Sequence, residues 1–171
     1  MHIDFVAPHQ HEALTDLMHE MGVFYSEEAP ASREDVRSNL FDNLLAPGSP
    51  LRLVVASDDA GTVVGFAAIA LFHSLVDPVP QRRGQLLLKE LYVLQARRRQ
   101  GIGKAVMAWV ARHALEHGCA RVEWYVSASN KPALAFYRSL SALHVAGRLS
   151  FRLGGEYLAR LADEDGDDAR A

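Results

Sequence analysis

The segment RRRQGIGK, residues 97–104, places four basic side chains and two glycines within eight positions. It follows the apolar run GQLLLKELYV and precedes a helical pattern, so it lies at a strand-to-helix turn. The first amides of a helix have no intrahelical acceptor and lie at the positive end of the helix dipole. Gly101 and Gly103 would let these amides approach a ligand closely. The segment therefore predicts a phosphate-binding loop.

Two common nucleotide-binding loops do not match this segment. The ATP-binding P-loop requires Gly where Arg98 stands and Ser or Thr where Ala105 stands. The dinucleotide-binding loop requires Gly where Val106 stands, within a βαβ unit that the flanking strands do not form. We therefore do not expect the loop to bind ATP, NAD or FAD.

Strands and helices must position this loop. A helix is predicted from Gly101 to Gly118, because apolar side chains recur there at helical spacing and Gly118 suits a C-cap. Alternating or β-branched runs predict strands at IDFVAP, LRLVVAS, TVVGFAAIALF, GQLLLKELYV, CARVEWYVS and GRLSFRL. Helices are predicted in HQHEALTDLMHEMGVFY, after Ser32, in NKPALAFYRSL and in EYLARLA. This order favours an α/β (α+β) fold in which helices cover both faces of a mixed sheet.

Length and composition limit the class of protein. A chain of 171 residues with 49% hydrophobic residues suits one domain, predicted over 1–162, followed by an acidic disordered tail over 163–171. The formal net charge of -3 argues against a nucleic-acid partner. No run is long enough to span a membrane and no signal peptide is evident, so we expect a cytoplasmic protein without a membrane partner. The single Cys119 is expected to be a small core residue.

The spacing Arg98-x-x-Gly101-x-Gly103 resembles the central motif of the GNAT superfamily of acyl-CoA-dependent N-acetyltransferases. SASNKPALAFYRSL supplies a second motif of that family, an Asn before a helix that carries Phe136 and Tyr137. The two motifs in this order are more specific than either alone, and the resemblance extends over residues 3–162. GCARVEWYVSASN and FRLGGEYLARLA are similar to the branch that includes diamine and thialysine acetyltransferases.

The resemblance implies a GNAT-type fold, with a twisted, mostly antiparallel sheet of about six to seven strands. It implies acetyl-CoA as the co-substrate, with its pyrophosphate on the amides of residues 98–104 and its pantetheine arm along residues 91–93. The implied coenzyme-binding residues are Leu91, Tyr92, Val93, Arg98, Arg99, Gln100, Gly101, Ile102, Gly103, Lys104, Asn130 and Phe136. A homodimer is also expected, since relatives commonly dimerise.

The implied reaction is transfer of an acetyl group to a primary amine by direct attack in a ternary complex. Tyr137 is the candidate general acid, because the family places this phenol near the coenzyme sulfur. Glu90 is the candidate acceptor of the amine proton, or else a solvent-facing residue of an alternating strand. The small-molecule amine is expected to be amino-acid-like, thialysine-like or polyamine-like. Lys89 stands where the polyamine enzymes carry an acid, which argues against a dicationic substrate.

The residues that would hold the amine are less defined. Glu27 and Glu28 follow an aromatic pair that ends in Tyr25, in the loop where the family usually builds its acceptor site. They are candidates to attract an ammonium group, and a solvated acidic loop is the alternative. One departure from the family pattern is Ser141, where Gly usually follows the Phe-Tyr helix; it would cost about 1 kcal/mol if that residue needs a positive φ.

Three other kinds of protein share some of these sequence features. A non-catalytic acyl-CoA-binding or sensing module would keep the same loop, and a protein N-terminal or lysine acetyltransferase would differ only in its acceptor. Arg82 and Arg83 with the loop arginines could form a nucleic-acid patch, against which the net charge argues. HALEH, residues 113–117, does not have the zinc-protease order, with Glu directly after the first His, so no metal is predicted. No G-x-S-x-G elbow supports a hydrolase.

Overall fold

The computed structural model describes residues 1–26 and 29–167. The chain forms two compact units, Met1–Asn130 and a second that begins at Lys131. This boundary lies within the predicted domain 1–162, between the last strand and the helix that carries Phe136 and Tyr137. None of the helices in the described ranges has the length and the apolar run that crossing a bilayer requires.

The first unit is built on a five-stranded sheet in the order β1-β2-β3-β4-β5. Neighbouring strands are antiparallel except β4 and β5, which are parallel, so the sheet is mixed and mostly antiparallel as predicted. The helix that follows the loop connects β4 to β5, so these elements do form a βαβ unit, contrary to the expectation from the sequence. The strand bounds are β1 (His2–Phe5), β2 (Arg52–Ser57), β3 (Val63–His73), β4 (Gly84–Val93) and β5 (Cys119–Glu123). The count is lower than the six to seven strands predicted.

Helices cover both faces of this sheet, as the sequence predicts. The long helix α3 (Ile102–Glu116) buries Val106 and Val110 against β4 on one face. Helix α1 (His11–Tyr25) buries Leu14 and Leu17 on the other face. There it is joined by the short α2 (Arg33–Asn39), which continues as a π-helical turn over Leu40–Leu44. Each face therefore has its own apolar core.

A bulge in β4 changes which side chains face each core. Leu88 pairs with Ile69 and Glu90 pairs with Ala68, so Lys89 is an extra residue without a partner on β3. Before the bulge, Leu88 packs on the α3 side; after it, Leu91 and Val93 take that side. Because side chains alternate along a strand, Glu90 shares the α1 face with Tyr92.

Strand β5 is shorter than the predicted run CARVEWYVS. It ends at Glu123 and pairs only with Gly84–Leu87 at the start of β4. Residues 124–127 are not in a strand. The two parallel strands therefore part, and the edge of β4 beyond Leu87 has no neighbouring strand on this side among the described residues. Cys119, at the start of β5, is buried as predicted, and burial raises the pKa of its thiol.

The second unit contains helix α4 (Lys131–Ser139) and helix α5 (Glu156–Asp167). The predicted strand GRLSFRL is wrong, since residues 147–153 form no strand. Leu149 is 81% exposed and Phe151 is 90% exposed. An alternating sequence has strand propensity, but a strand is stabilised by a paired neighbour, which this segment lacks among the described residues. Helix α5 extends into the predicted tail, and residues 168–171 lie outside the described residues.

Candidate functional site

The loop between β4 and α3 has a backbone shape suited to anion binding. Arg99 has φ 66° and Gly101, the N-cap of α3, has φ 82°, so both lie in the left-handed region. The first helical bond runs from the Ala105 N–H to the Gly101 C=O at 3.0 Å. Among the described residues, no acceptor pairs with the amides of residues 99–104. A row of unpaired amides at a helix start is a site for phosphate oxygens.

Two arginine side chains hold the loop in place. The Arg98 Nε donates to the Val93 C=O at 3.1 Å, and its guanidinium lies 4.3 Å from the centre of the Phe24 ring. The Arg98 amide donates to Gln95 O at 3.3 Å, so the unpaired amides begin at Arg99. Arg97 forms an ion pair with Asp58 in the β2–β3 turn. These two arginines fasten the loop to the end of the sheet.

The edge of β4 beside this loop offers backbone groups to a ligand. The Leu94 N–H donates to Val64 O, so Leu94 and, by alternation, Tyr92 pair with β3. The backbone groups of Leu91 and Val93 then point to the side from which β5 has parted. Of these, the Val93 C=O is occupied by Arg98. The remaining groups can hydrogen-bond an extended amide-bearing ligand, as an added strand would.

Tyr92 and Glu20 connect this strand to α1. The Tyr92 hydroxyl donates to Glu20 Oε1 at 2.9 Å, and the Gln95 N–H donates to the same oxygen at 2.9 Å. Tyr92 is only 2% exposed, and burial followed by the Glu20 carboxylate raises its pKa to about 12. The phenol therefore stays protonated and acts as a structural donor. Sequence reasoning missed Glu20, because an acid on an amphipathic helix has the same pattern as a solvated residue.

Glu90, the candidate proton acceptor, lies two residues before Tyr92 on the α1 face of the sheet. Its carboxylate is 3.6 Å from the Lys89 ammonium, and both side chains are about half exposed. The bulge at Lys89 is what brings this carboxylate to the face that also carries Tyr92. Glu90 is therefore open to a ligand on that face.

The aromatic pair predicted near the acceptor lies at the end of α1. The centres of the Phe24 and Tyr25 rings are 6.2 Å and 6.3 Å from that of Tyr92. Both side chains remain about half exposed. Tyr25 is thus on the same sheet face as Glu90, while Glu27 and Glu28 lie outside the described residues.

The other predicted site residues lie at or beyond the boundary of the first unit. Asn130 ends that unit, and its amide donates to Ser127 O at 3.0 Å. Phe136 and Tyr137 lie on α4 in the second unit, half-buried, with their ring centres 5.1 Å apart.

The turn after α4 has the strain foreseen at Ser141. This residue has φ 60°, and its N–H donates to Arg138 O at 3.0 Å. The Ala142 N–H donates to Tyr137 O at 3.3 Å. The two bonds form a Schellman motif, whose left-handed residue is usually glycine. Serine therefore occupies a glycine position.

A sheet that parts beside an amide-lined helix start is suited to an extended ligand that carries phosphates. The family described as "Acetyltransferase (GNAT) family" matches residues 14–141. This match covers most of the chain, including both strands that part and the loop. The chain belongs to the GNAT family and is an acetyl-CoA-dependent N-acetyltransferase.

Individual relatives agree with this assignment. The chain is 32% identical over 135 residues to the thialysine N-epsilon-acetyltransferase of Mus musculus, covering 64% of this chain and 79% of that protein. It is 24% identical over 169 residues to the enzyme of the same name from Caenorhabditis elegans, covering 93% and 95%. An integron cassette protein from V. cholerae superimposes with a TM-score of 0.84 at 28% identity, covering 94% of this chain and 96% of that one.

Proposed function

We propose that this enzyme acetylates a primary amine of a small molecule that is amino-acid-like, thialysine-like or polyamine-like. The amine attacks acetyl-CoA directly in a ternary complex. The observation that carries the proposal is that the unpaired amides of residues 99–104 directly follow the open edge of β4. The relatives named thialysine N-epsilon-acetyltransferases support an acceptor with a side-chain amine.

In this proposal the loop and the strand hold different parts of the coenzyme. The amides of residues 99–104, with the exposed side chains of Arg99 and Lys104, take the pyrophosphate. The free backbone groups of Leu91 and Val93 take the amides of the pantetheine arm. Asn130 and Phe136 are proposed as further contacts. Strand β4 then leads the thioester from the loop toward the bulge and Glu90.

The transfer requires the amine nitrogen to lose two protons and the coenzyme sulfur to gain one. A free alkylamine has a pKa of about 10.4 and is mostly protonated at pH 7, so it must first lose a proton. We assign that proton to Glu90, directly or through water. The neutral amine nitrogen then bonds to the thioester carbon and loses its second proton to water, the carbon–sulfur bond breaks, and the departing thiolate takes a proton. We assign the proton that the thiolate takes to the Tyr137 hydroxyl, which water then reprotonates.

The charge beside Glu90 bears on the acceptor. The Lys89 ammonium, 3.6 Å from the Glu90 carboxylate, repels a second positive charge on the substrate. An amino acid, whose α-carboxylate offsets the charge of its α-ammonium, is therefore favoured over a polyamine, whose second charge has no such partner. We propose Tyr25, Glu27 and Glu28 as residues that line the acceptor side.

The proposal is tested first by calorimetric titration with acetyl-CoA and then by release of free CoA thiol. The panel of acceptors is thialysine, spermidine, free amino acids and a lysine-containing peptide with a free N-terminus. We expect the fastest release with thialysine or a free amino acid. If acetyl-CoA binds but no amine in the panel causes release of CoA thiol, the protein is a non-catalytic module. If the peptide gives the fastest release, the protein is a protein acetyltransferase. Absence of binding at millimolar acetyl-CoA would exclude the proposal.

The role of Tyr137 is tested separately. Tyr137→Phe is expected to lower kcat by about 10²- to 10⁴-fold, because it removes the general acid. The dissociation constant of acetyl-CoA should stay within about twofold, since the ring is retained. Tyr157→Phe, on the exposed surface of α5, is the matched control and should leave kcat unchanged. An unchanged kcat in Tyr137→Phe would remove Tyr137 from the mechanism.

The family resemblance also leads us to propose a homodimer. Sedimentation equilibrium at micromolar protein concentration distinguishes a dimer from a monomer of 18.8 kDa.

A further inference from the structure

The far end of α3 carries a second group of polar side chains. His113, Glu116 and His117 line a cleft of about 400 Å³ that Asp4 and Arg112 also border. At 1.5 Å per helical residue, this group lies about 18 Å along α3 from the coenzyme loop. It therefore takes no part in the proposed acetyl transfer.

The three side chains are close enough to share one ion. Each offers one ligand atom, and these atoms lie within 4.8 Å of one another. The centres of the His113 and His117 rings are 4.0 Å apart. Ligands of a tetrahedral zinc ion lie about 3.4 Å from one another. Glu116 and His117 are exposed, so small side-chain rotations bring the group to that spacing.

The protonation pattern of His117 suits a metal ligand. Its Nδ1 lies 2.8 Å from the His113 backbone carbonyl, which can only accept, so Nδ1 carries the proton. The lone pair is then on Nε2, which is free to bind a cation. Metal-binding histidines commonly donate their second ring N–H to a backbone carbonyl in this way.

His113 supplies an independent observation. Its side chain lies between the stacked Trp109 ring and the edge-on Phe5 ring and is only 6% exposed. The His113 Nε2 is buried and has no hydrogen-bond partner among the described residues. Burial first, then His117 and Arg52, lower the pKa of His113.

The order of residues in HALEH, residues 113–117, also fits zinc binding. HALEH has Glu immediately before the second His, which is the reverse of the H-E-x-x-H order considered above. The H-x-x-E-H order is itself a zinc-binding pattern. Residues at i, i+3 and i+4 lie on one face of a helix. The tertiary structure places this face on the cleft.

We propose that His113, Glu116 and His117 form a binding site for a Zn²⁺ ion, with water completing its coordination. The C-terminal end of a helix has a partial negative charge that favours a cation. Asp4 and Glu116 balance the charges of Arg52 and Arg112 in the cleft.

The test is calorimetric titration of the full chain with ZnCl₂ at pH 7.5 in a buffer that does not bind zinc. We expect one equivalent to bind. Both Glu116→Gln and His117→Ala should weaken binding at least about tenfold. These side chains are exposed, so the variants should fold, which circular dichroism verifies. His9→Ala, an exposed histidine outside the cleft, is the control and should bind zinc as the parent does.

A second readout reports the ligands directly. Co²⁺ in place of Zn²⁺ gives a visible spectrum that depends on coordination, and His117→Ala should change it. Absence of zinc binding, or binding that neither Glu116→Gln nor His117→Ala weakens, would overturn the proposal. Equal weakening by the His9→Ala control would do so as well. None of these outcomes depends on acetyl transfer, so the two proposals are tested independently.

Discussion

Glu20 holds together the end of β4 and the start of the coenzyme loop, so its removal should be costly. One carboxylate oxygen accepts from the buried Tyr92 hydroxyl and from the Gln95 N–H, each at 2.9 Å. Glu20→Ala leaves both donors without this acceptor. A buried donor left unsatisfied costs about 1–3 kcal/mol. Gln95 is exposed, so the loss at its N–H should be near the lower end of that range. We expect the free energy of unfolding to fall by about 2–4 kcal/mol.

The matched control is Glu20→Gln, which keeps an oxygen that can accept from both donors. Its expected loss is below about 1 kcal/mol. Urea denaturation followed by circular dichroism measures both variants, and Glu20→Ala should lower Tm by roughly 5–15 °C in a chain of this size. Acetyl-CoA affinity should also fall in Glu20→Ala, because Gln95 leads into the loop. Equal losses in the two variants, or a loss in Glu20→Ala below about 0.5 kcal/mol, would refute the reasoning.

Two further predictions concern backbone strain and alkaline pH. Ser141→Gly should stabilise the protein by about 0.5–1 kcal/mol in urea denaturation, because Ser141 has φ 60°. Ser139→Gly, within α4, should instead destabilise the protein by about 0.5 kcal/mol. If Ser139→Gly also stabilises it, the positive φ of Ser141 does not explain the effect of Ser141→Gly. The pKa of Tyr92 is raised to about 12, above its unfolded value of about 10. Its contribution to stability is therefore complete below about pH 10 and is lost as pH rises through about 12, and an ultraviolet titration should lose its highest step in Tyr92→Phe.

The coenzyme loop and most strands were predictable from the sequence because their signals are local. The β4 bounds Gly84–Val93 match the predicted run, since the run is apolar and the turn residues follow it directly. Gly101 was identified from its spacing alone, and its φ of 82° explains why glycine suits that position. The prediction of a strand at 147–153 was wrong, because an alternating pattern gives strand propensity but does not provide the neighbouring strand that stabilises it.

The sequence by itself therefore determined the fold class, the family motif and the nature of the co-substrate. The tertiary structure decided which side chains meet at each end of α3 and β4. The bulge at Lys89 turns Glu90 to the α1 face. Glu20 contacts Tyr92, which is 72 positions away in the chain. His113 and His117 face a cleft only because β1 packs against the end of α3 through Phe5. These contacts depend on the packing of elements distant in the chain, which local residue patterns do not encode.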